Sequence, residues 1–433
     1  MSTTDTIPRS TSTAHVPVVI VGAGQAGLSV SWYLGRAGID HLVVESHTPT
    51  HAWADKRWDN FTLVTPNWHC RLPGYSYTGD DPDGFMTRDE VVEWLDGWLA
   101  TFDVPIRTRT TVTRLKRTAT GFLLTLESAG GSEEITCDQA IIATGGYPLP
   151  VLPPYAPALD SAVAQIHSEE YFNPEQLDDG AVLVVGSGQS GTQIAEDLHL
   201  AGREVHLAIG NAPRVARFYR GRDCMTWLAD MGVYDTPAQQ YPGGRAAQEK
   251  TNHYVTGRDG GRDVDLRTFA AQGMKLYGHL TSGKDAVLTF APTLTESLDA
   301  ADAVYNSICA DIDRYIDAND VAAPPASRYE PVWQPPADPT TLDLLDAGIT
   351  TIIWAIGYRP DYRWLEVSAF DGGGRPIQTR GVTEVPGLSF IGLPWMHTWG
   401  SGRFLGIDHD ARHIADTVVA ALGDTRLRLA SGE

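Results

Sequence analysis

The most regular hydrophobic pattern lies near the N-terminus, where four apolar residues at 18–21 lead into the turn Gly22-Ala23-Gly24-Gln25-Ala26-Gly27. An unbroken apolar run of this length predicts a strand buried on both faces. The positions after the turn predict a helix over 25–36 and then a second buried strand over 41–45. This order predicts a parallel β-α-β unit whose first connection is a glycine turn.

The same pattern occurs again in the middle of the chain. An apolar run at 181–185 leads into Gly186-Ser187-Gly188-Gln189-Ser190-Gly191, and a helix at 192–200 and a strand at 203–208 are predicted after it. In such turns the first glycine permits the bend, the second lets a pyrophosphate approach, and the third lets the helix pack closely. One such turn is weak evidence in a chain with 43 glycines, but two in the same context predict two dinucleotide sites.

Shorter elements separate the two units. Aromatic residues crowd the loop at 51–77, which predicts either a small hydrophobic cluster or the wall of a pocket. Thr87 and Glu90 have the spacing of a capping box and begin a predicted helix. The run at 139–146 predicts the next parallel strand. Before it, alternating polar and apolar residues predict a β-meander at 112–115, 122–126 and 134–137.

The second half of the chain predicts helices, a connector and a returning strand. The helices are predicted at 225–231, 266–276, 298–316 and 408–422. Six prolines within 323–340 predict an extended connector. The run at 350–361 repeats the pattern of 141–147, which predicts that the chain returns there to its first domain, and 388–392 predicts a last short strand.

These elements predict an α/β protein with two three-layer, Rossmann-like dinucleotide-binding domains and a β-meander. Residues 1–14 are predicted to be disordered. The first domain is predicted at 15–160 and 341–433, and the second is inserted into it at 161–340. Within the second domain, a helical insertion is predicted at about 223–322.

The two units differ where a ribose contact is expected. Glu45 follows the first glycine of its turn by 23 residues, and the same spacing in the second unit reaches Ile209. An acid at this place selects a ribose 2′-hydroxyl, whereas arginine accommodates a 2′-phosphate. Because Arg214 and Arg217 follow the second unit, the sequence predicts FAD in the first turn and NADPH in the second. A solvated surface strip is the alternative for these arginines.

Composition narrows the possible partners. The chain has 433 residues, of which 42% are hydrophobic, and a net charge of −21, which excludes nucleic acid as an expected partner. No run approaches the roughly 18 apolar residues of a membrane helix, so no membrane partner is expected. The polar N-terminus has no signal core, which predicts a cytoplasmic location. Cysteines at 70, 137, 224 and 309 match neither a zinc spacing nor a disulfide framework, so reduced thiols and no metal site are expected.

Taken in this order, the motifs resemble the single-component flavin-containing monooxygenases of class B, and most closely a bacterial subgroup of flavin-dependent oxidoreductases. The resemblance covers most of the chain. It rests on both glycine turns, Glu45, Trp53, and the segments 63–68, 143–145, 355–357 and 393–402.

This resemblance implies an enzyme that consumes NADPH and O2 and forms a C4a-(hydro)peroxyflavin on FAD. The expected substrate is a small soft nucleophile, namely an amine, a sulfide or an aromatic heterocycle. In the family fingerprint an aromatic residue follows a histidine by four positions, as Tyr171 follows His167, although Ser161 and Val163 occupy its Phe and Gly positions. Tyr171 resembles the N- and S-oxygenating branch rather than the Baeyer–Villiger branch.

The resemblance also assigns roles to individual residues. Asn67 corresponds to an asparagine near the flavin that hydrogen-bonds the oxygenating intermediate, with a turn residue after Pro66 as the alternative. His167 is a candidate site residue, with a structural or hinge role in the NADPH domain as the alternative. The candidate substrate contacts are Trp395, His397 and Trp399. The candidate FAD-binding residues are Gly22, Gly24, Gln25, Ala26, Gly27, Glu45, Trp53, Val112, Ala143, Thr144, Gly145, Gly357 and Gly392. The candidate NADPH-binding residues are Gly186, Ser187, Gly188, Gln189, Ser190, Gly191, Arg214 and Arg217.

Other activities remain open at this point. A Baeyer–Villiger monooxygenase acting on a ketone is the nearest alternative. An NADPH oxidase, or a redox-sensing module without turnover, would share the same cofactor sites. A pyridine-nucleotide disulfide reductase needs a cysteine pair beside the flavin, whereas Cys70 is the only cysteine between Gly27 and Cys137. The sequence gives no indication of the oligomeric state.

Overall fold

Two central parallel sheets organise the chain, one in each of two α/β domains. The computed structural model describes residues 13–431, with side chains described through 423. The helices in this part are α1 (Gln25–Arg36), α2 (His51–Ala54), α3 (Arg88–Leu99), α4 (Gln189–Leu200), α5 (Cys224–Asp230), α6 (Gly244–Gln248), α7 (Leu266–Ala271), α8 (Leu294–Ala318) and α9 (Ile407–Ser431). Single 3-10 turns occur at Asn67–His69, Ala156–Ala158, Pro174–Gln176, Ala238–Gln240 and Arg258–Gly260.

The first domain is built on a seven-stranded sheet. From one edge to the other its strands are Gln378–Thr379, Val382–Thr383, Leu388–Phe390, Gln139–Ile142, Val18–Val21, His41–Val44 and Ile106–Arg107. The last five are parallel. Val18 and Ile20 face the cluster that contains α1 and α9, whereas Val19 and Val21 face the β-meander. Helices, sheet and meander therefore form the three predicted layers.

The meander is a five-stranded sheet. Its strands, in order, are Ala14–His15, Gly131–Cys137, Phe122–Ser128, Thr110–Arg117 and Leu365–Glu366. The three central strands confirm the predicted meander, and the predicted capping box at Thr87 and Glu90 begins α3. Most of the segment predicted to be disordered, 1–14, lies outside the described residues, but Ala14 already pairs with Ile135.

The second domain repeats the three-layer plan. Its parallel strands, in order, are Ala164–His167, Ile349–Trp354, Ala181–Val185, Val205–Ala208 and Lys275–Tyr277. Val182 and Val184 pack towards α4, while Leu183 and Val185 face the other side. That other side is covered by a three-stranded antiparallel sheet of Leu280–Lys284, Val287–Phe290 and Thr341–Asp343.

The predicted return of the chain at 341 is wrong. Ile349–Trp354 lies in the second sheet, between the strands that begin at Ala164 and Ala181. Its sequence resembles 141–147 because each of the two segments packs against the glycine turn of its own domain. A buried apolar strand does not indicate from its sequence which of two similar sheets it joins.

Two neighbouring segments connect the domains. Leu149–Pro150 pairs antiparallel with Tyr358–Arg359, so the outgoing and returning chains run side by side. The return is complete at Leu365–Glu366, which pairs with the meander strand Thr110–Arg117.

The insertion predicted at 223–322 is helical only in part. Helix α7 ends at Ala271, and Gly273 has a φ of +114° that reverses the chain into the edge strand Lys275–Tyr277. The prediction of helix to 276 is therefore wrong at its C-terminal end. The proline-rich connector at 323–340 contains no helix or strand, as predicted. Within 13–431, no helix combines the length and the hydropathy needed to cross a membrane.

Candidate functional site

The first glycine turn is shaped by contacts that leave no room for side chains. Gly22 has a φ of +108°, and a Cβ there would lie 2.6 Å from the carbonyl oxygen of Ala143. A Cβ on Gly27 would lie 2.0 Å from the carbonyl oxygen of Gly22. At Gly24, the N-cap of α1, a Cβ would meet nothing within 4 Å, and no side chain caps the helix. The turn therefore holds an open helix N-terminus, which is a favourable place for a phosphate.

Glu45 lies beside this turn. Its Oε2 accepts a hydrogen bond of 2.7 Å from the amide of Ala23, and its Oε1 accepts one of 2.8 Å from the amide of His47. The carboxylate is thus held in place at the end of the strand His41–Val44. Oε1 also accepts from the hydroxyl of Ser46, so Oε2 is the oxygen that keeps a lone pair for the ribose hydroxyl that the sequence predicts there.

The second glycine turn has the same construction. A Cβ on Gly186 would lie 2.4 Å from the carbonyl oxygen of Ala355, and one on Gly191 would lie 1.9 Å from that of Gly186. Gly188 is the uncapped N-cap of α4, and the nearest atom to a Cβ there is a methyl carbon of Thr251 at 3.8 Å. Ser187, which follows the first glycine as Ala23 does in the first unit, accepts a hydrogen bond at its Oγ from the amide of Gly210. Both turns are therefore open at their second glycine.

The two arginines predicted to hold a 2′-phosphate are buried in ion pairs. Arg214 is 2% exposed and lies 3.0 Å from Asp302 and 3.4 Å from Asp265, with its guanidinium over the ring of Tyr329. Arg217 is fully buried, and its Nη2 lies 2.6 Å from a carboxylate oxygen of Asp223. The solvated-strip alternative is therefore wrong for both residues. Their role at a 2′-phosphate remains a prediction, but the carboxylates nearby already compensate each charge.

Three distant segments meet beside the first turn. Gln25 is the first residue of α1. Its side chain donates a hydrogen bond of 3.3 Å to the carbonyl of Gly402 and accepts one of 3.2 Å from the indole of Trp53. Trp53 also stacks on Phe404 with ring centroids 5.1 Å apart. Gly392 is required here because a Cβ would lie 2.8 Å from that of Ala26. These contacts bring two predicted FAD residues, Trp53 and Gly392, to the first turn.

The other predicted FAD residues take different positions. Ala143, Thr144 and Gly145 follow the strand Gln139–Ile142 directly behind the first turn. The side chain of Val112 is buried in the cluster between meander and sheet. Gly357 lies away from this group, since its carbonyl accepts hydrogen bonds from Val151 at the domain crossing and from His167.

Asn67 is buried, and the surrounding loop uses both ends of its amide. Its Nδ2 donates to the carbonyl of Asp81 at 3.0 Å, and its Oδ1 accepts from the amide of Met86 at 2.8 Å. This side chain therefore braces the loop between its own 3-10 turn and α3. Its predicted contact with a flavin intermediate remains a prediction.

His167 is buried at the end of its strand. Its Nε2 lies 3.2 Å from the carbonyl oxygen of Gly357, and its ring meets that of Tyr358 edge to face at 4.7 Å. Burial lowers the pKa of His167, so the ring stays neutral near pH 7. These contacts join its strand to the returning segment, which favours the hinge alternative for this residue.

The predicted substrate residues pack against the insertion of the second domain. Trp395 meets Tyr241 at 4.5 Å, Trp399 meets Tyr234 at 4.5 Å, and the carbonyl of His397 accepts from the amide of Ala238. The aromatic loop at 51–77 joins them through His69, whose ring lies 5.4 Å from that of Tyr234. The loop is therefore part of a hydrophobic cluster and contacts the second domain, in a region called the cleft below. Its role as a pocket wall remains a prediction.

Sequence reasoning missed four residues of this cleft, namely Arg57, His69, Tyr234 and Arg403. Neither arginine has a carboxylate partner within 4 Å in the described part of the chain; Arg57 lies over Trp53 at 5.1 Å, and Arg403 lies over Trp399 at 4.1 Å. No local motif marks them, because arginine is common in an exposed loop. Arg214 and Arg217 also lie over aromatic rings, so it is the lack of a carboxylate partner among the described residues that distinguishes Arg57 and Arg403 from them.

The residues present fit two dinucleotides. Each turn leaves an open helix N-terminus, where unpaired N–H groups and the helix dipole attract a pyrophosphate. Behind the first turn, Thr144 Oγ1 is buried without a hydrogen-bond partner, which indicates a polar ligand at this place. In the part of the chain with described side chains, no group of three or more His, Cys, Asp or Glu residues is placed to hold a metal ion.

A buried carboxyl group on α9 gives this end of the site a pH dependence. Asp410 is 3% exposed, and burial raises its pKa to about 6. Because the folded pKa lies above the unfolded value, the penalty for ionising Asp410 is absent below about pH 4 and complete above pH 6. It amounts to about 3 kcal/mol. We expect Asp410→Asn to raise the unfolding temperature at pH 8 but not at pH 4, as measured by calorimetry.

The exposed Asp416 on the same helix provides the control. Because Asp416 is exposed, Asp416→Asn is not expected to reproduce the rise in unfolding temperature at pH 8. A pH-independent effect of Asp410→Asn would contradict the assignment of a raised pKa to Asp410.

Comparison with known proteins agrees with this architecture. Residues 19–228 match the family described as pyridine nucleotide-disulphide oxidoreductase. The chain is 28% identical over 406 residues to an uncharacterized CzcO-like oxidoreductase from Geobacillus kaustophilus, covering 93% of this chain and 98% of that protein. It is also 28% identical to a probable indole-3-pyruvate monooxygenase, YUCCA3 from Arabidopsis thaliana, over 50% of this chain and 54% of that one.

A solved structure shows the same fold. The flavin-containing monooxygenase from Stenotrophomonas maltophilia superposes with a TM-score of 0.63 at 18% identity, covering 94% of this chain and 99% of that one. The family match and these relatives support FAD and NADPH as the two cofactors. Residues 19–228 of the chain thus match the pyridine nucleotide-disulphide oxidoreductase family, and the chain is a flavin-dependent oxidoreductase with the fold of the flavin monooxygenases.

Proposed function

We propose that the protein is an FAD-dependent monooxygenase that consumes NADPH and O2 and oxygenates a small nucleophilic substrate. FAD is assigned to the first glycine turn and NADPH to the second. The observation that carries this proposal is a short path of contacts between the two turns. Thr251 lies next to Gly188, Asn252 accepts a hydrogen bond of 3.4 Å from Arg403, and Gly402 accepts one from Gln25.

The contacts form one path because Thr251 and Asn252 are neighbours in the chain, as are Gly402 and Arg403. This path supports a cleft shared by the two turns. A reduced nicotinamide from one turn and a flavin from the other would meet where the C-terminal segment 395–403 crosses the cleft. When bound, NADPH supplies a hydride to the flavin, and the reduced flavin supplies the electrons that activate O2. The protein's part is to bind, orient and keep water out.

The residues around the cleft fit those tasks. The helix N-termini at Gly24 and Gly188 would bind the two pyrophosphates, and Glu45 would accept a ribose hydroxyl. The stacked rings of Trp53 and Phe404 cover the first turn, and the pair of Tyr234 and Trp399 covers the cleft. Water exclusion of this kind protects reactive intermediates from side reactions with water.

The buried hydrogen bond of Tyr171 supports its use as a domain clamp rather than a substrate contact. Its hydroxyl donates a hydrogen bond of 2.7 Å to Asp197 on α4. The same carboxylate accepts a hydrogen bond of 2.9 Å from Asn60 of the first domain. The choice between N- or S-oxygenation and a Baeyer–Villiger reaction would therefore be made by the pocket, and the former remains the branch that we propose.

The cysteines argue against disulfide reduction as the main activity. All four are buried, and burial raises the pKa of both Cys70 and Cys137 to about 12. A thiol of this kind is almost entirely protonated at pH 7 and is a poor nucleophile. Cys224 and Cys309 share a cluster, but it lies in the insertion rather than at the first turn.

The proposal predicts coupled oxygen transfer, which ¹⁸O2 labelling measures. The purified protein should carry FAD, and a panel of amines, sulfides, aromatic heterocycles and ketones should contain a compound that accelerates NADPH oxidation. Mass spectrometry should then find one ¹⁸O atom in the product for each NADPH consumed. With NADH, kcat/KM is expected to be at least about tenfold lower than with NADPH, a difference of about 1.4 kcal/mol.

Two results would contradict these statements separately. Release of H2O2 with every compound, without label in any product, would exclude the monooxygenase and support an oxidase. Equal kcat/KM for NADPH and NADH would remove the 2′-phosphate assignment while leaving oxygen transfer intact.

A further inference from the structure

The two glycine turns share a further feature, which is a glutamine at the first position of the helix that follows each turn. Gln25 begins α1 and Gln189 begins α4, and each directly follows the second glycine of its turn. The side chain of Gln25 donates to the carbonyl of Gly402, and that of Gln189 binds the backbone of Val255. Each glutamine therefore joins its turn to a segment that lies far along the chain.

The hydrogen bonds of Gln189 complete the backbone pairing of a buried residue. Its Nε2 donates a hydrogen bond of 2.6 Å to the carbonyl of Val255, and its Oε1 accepts one of 3.2 Å from the amide of the same residue. Val255 is fully buried, and the residues on either side of it form single β-bridges with Arg214 and Arg262. The amide of Gln189 thus takes the place of a neighbouring strand, and without it two buried backbone groups would lose this partner.

The glutamine of the second turn holds one segment in place, residues 251–257, which we call the strap. At one end of the strap, a methyl carbon of Thr251 lies 3.8 Å from the position that a Cβ on Gly188 would take. At the other end, a Cβ on Gly257 would lie 2.0 Å from the carbonyl oxygen of Leu63 in the first domain. The strap therefore connects the second turn with the first domain.

The strap also contacts the segment that is bound to the first turn. Asn252 accepts a hydrogen bond of 3.4 Å from Arg403, which directly follows the carbonyl bound by Gln25. Residues 254–257 are buried, whereas Thr251 and Asn252 are exposed beside the open N-terminus of α4. The buried half thus anchors the strap, and the exposed half borders the place assigned to the pyrophosphate of NADPH.

We propose that Gln189 is a positioning residue for the reducing cofactor: it holds the strap, and the strap holds NADPH at the second turn in line with the flavin. This inference rests on the proposed function, which assigns NADPH to that turn. Both ends of the Gln189 amide are bonded to Val255, so the side chain acts through the strap. Alignment matters because displacing a reactant by about 1 Å can lower a transfer rate about a hundredfold.

Hydrogen exchange measures the strap without turnover. In the FAD-loaded native protein, saturating NADP⁺ should slow exchange in the peptide that covers the strap, because the bound cofactor would shield the exposed half. Gln189→Met keeps the length of the side chain and removes both hydrogen bonds to Val255. It should speed exchange in this peptide at least about tenfold, while the peptide of α1 exchanges as in the native protein.

Stopped-flow reduction of the flavin tests the positioning role. Gln189→Met should lower the limiting rate of reduction by NADPH about thirtyfold, because the nicotinamide is no longer aligned. The Kd for NADP⁺ should rise by less than about threefold, because the open N-terminus of α4 remains. Dithionite should reduce the variant at the native rate.

A glutamine elsewhere in the second domain provides the matched control. Gln272 is exposed at the end of α7 and is hydrogen-bonded to His199 at 3.0 Å. Gln272→Met also removes a glutamine hydrogen bond, but it should change neither the exchange of the strap nor the rate of flavin reduction.

The inference fails if NADP⁺ binds the native protein and leaves the exchange of the strap unchanged, or if Gln189→Met does not speed that exchange. It also fails if Gln189→Met weakens NADP⁺ binding by the same factor as the reduction rate, because Gln189 would then bind the cofactor directly. Aligned, native-rate reduction without any ¹⁸O transfer to a product would instead contradict the proposed function and leave the positioning role in place.

Discussion

Replacing Gly27 by alanine is expected to give a protein that purifies without FAD and unfolds at a clearly lower temperature. The new Cβ would lie 2.0 Å from the carbonyl oxygen of Gly22 and 3.1 Å from the Cβ of Ala143. The carbonyl cannot easily retreat, because Gly22 is itself hydrogen-bonded to Val44 through its amide and packed against Ala143. Either α1 or the turn must shift, at a cost of about 3 kcal/mol or more.

The measurement is the flavin-to-protein ratio from the absorbance spectrum, together with the unfolding temperature. Gly35→Ala in the same helix is the matched control, since a Cβ there meets nothing within 4 Å. Alanine favours helix over glycine, so this control should bind FAD fully and gain roughly 0.5–1 kcal/mol. Full flavin occupancy in Gly27→Ala would contradict the role of the close contact in shaping the site.

Replacing Gly188 by alanine is expected to separate the two cofactor sites. The variant should fold and retain FAD, because Gly188 has a φ of −68° and the nearest atom to its Cβ is 3.8 Å away. The added methyl group would stand at the open N-terminus of α4, where the pyrophosphate of NADPH is assigned. Crowding there costs about 1–3 kcal/mol, which corresponds to a decrease of roughly ten- to hundredfold in kcat/KM for NADPH.

Anaerobic stopped-flow reduction of the flavin by NADPH measures this effect directly. Dithionite should still reduce the variant at the native rate, which shows that the flavin site is intact. Gly24→Ala provides the reciprocal test, since a Cβ there also meets open space but at the first turn. It should fold and lose FAD affinity. If Gly188→Ala loses FAD and keeps NADPH, the assignment of the two turns must be exchanged.

Local sequence predicted much of the fold because its signals are short-range. Helix α1 has the predicted bounds, and both glycine turns, the meander and the capping box of α3 appear where their patterns place them. Each signal depends on contacts within a few residues or on backbone conformations that only glycine adopts readily. Some helix ends were predicted wrongly, as the C-terminal end of α7 shows.

The composition of the cleft could not be predicted, because its residues are brought together by the sheet order. His69, Tyr234 and Arg403 belong to a loop, to the insertion and to the segment before α9, and no periodicity relates them. The ion pairs of Arg214 could not be predicted from the sequence either. Its position after the second unit suggested an open anion site, but α8 supplies Asp302 as a partner at 3.0 Å.

The sequence by itself thus determined the two β-α-β units, their glycine turns and the acid at Glu45, since local geometry requires those residue types at those spacings. Tertiary structure alone decided which sheet receives Ile349–Trp354 and which arginines are neutralised by aspartate. The physical reason is that strand pairing and charge compensation depend on partners that are distant in the chain, and their identity is set only when the domains pack.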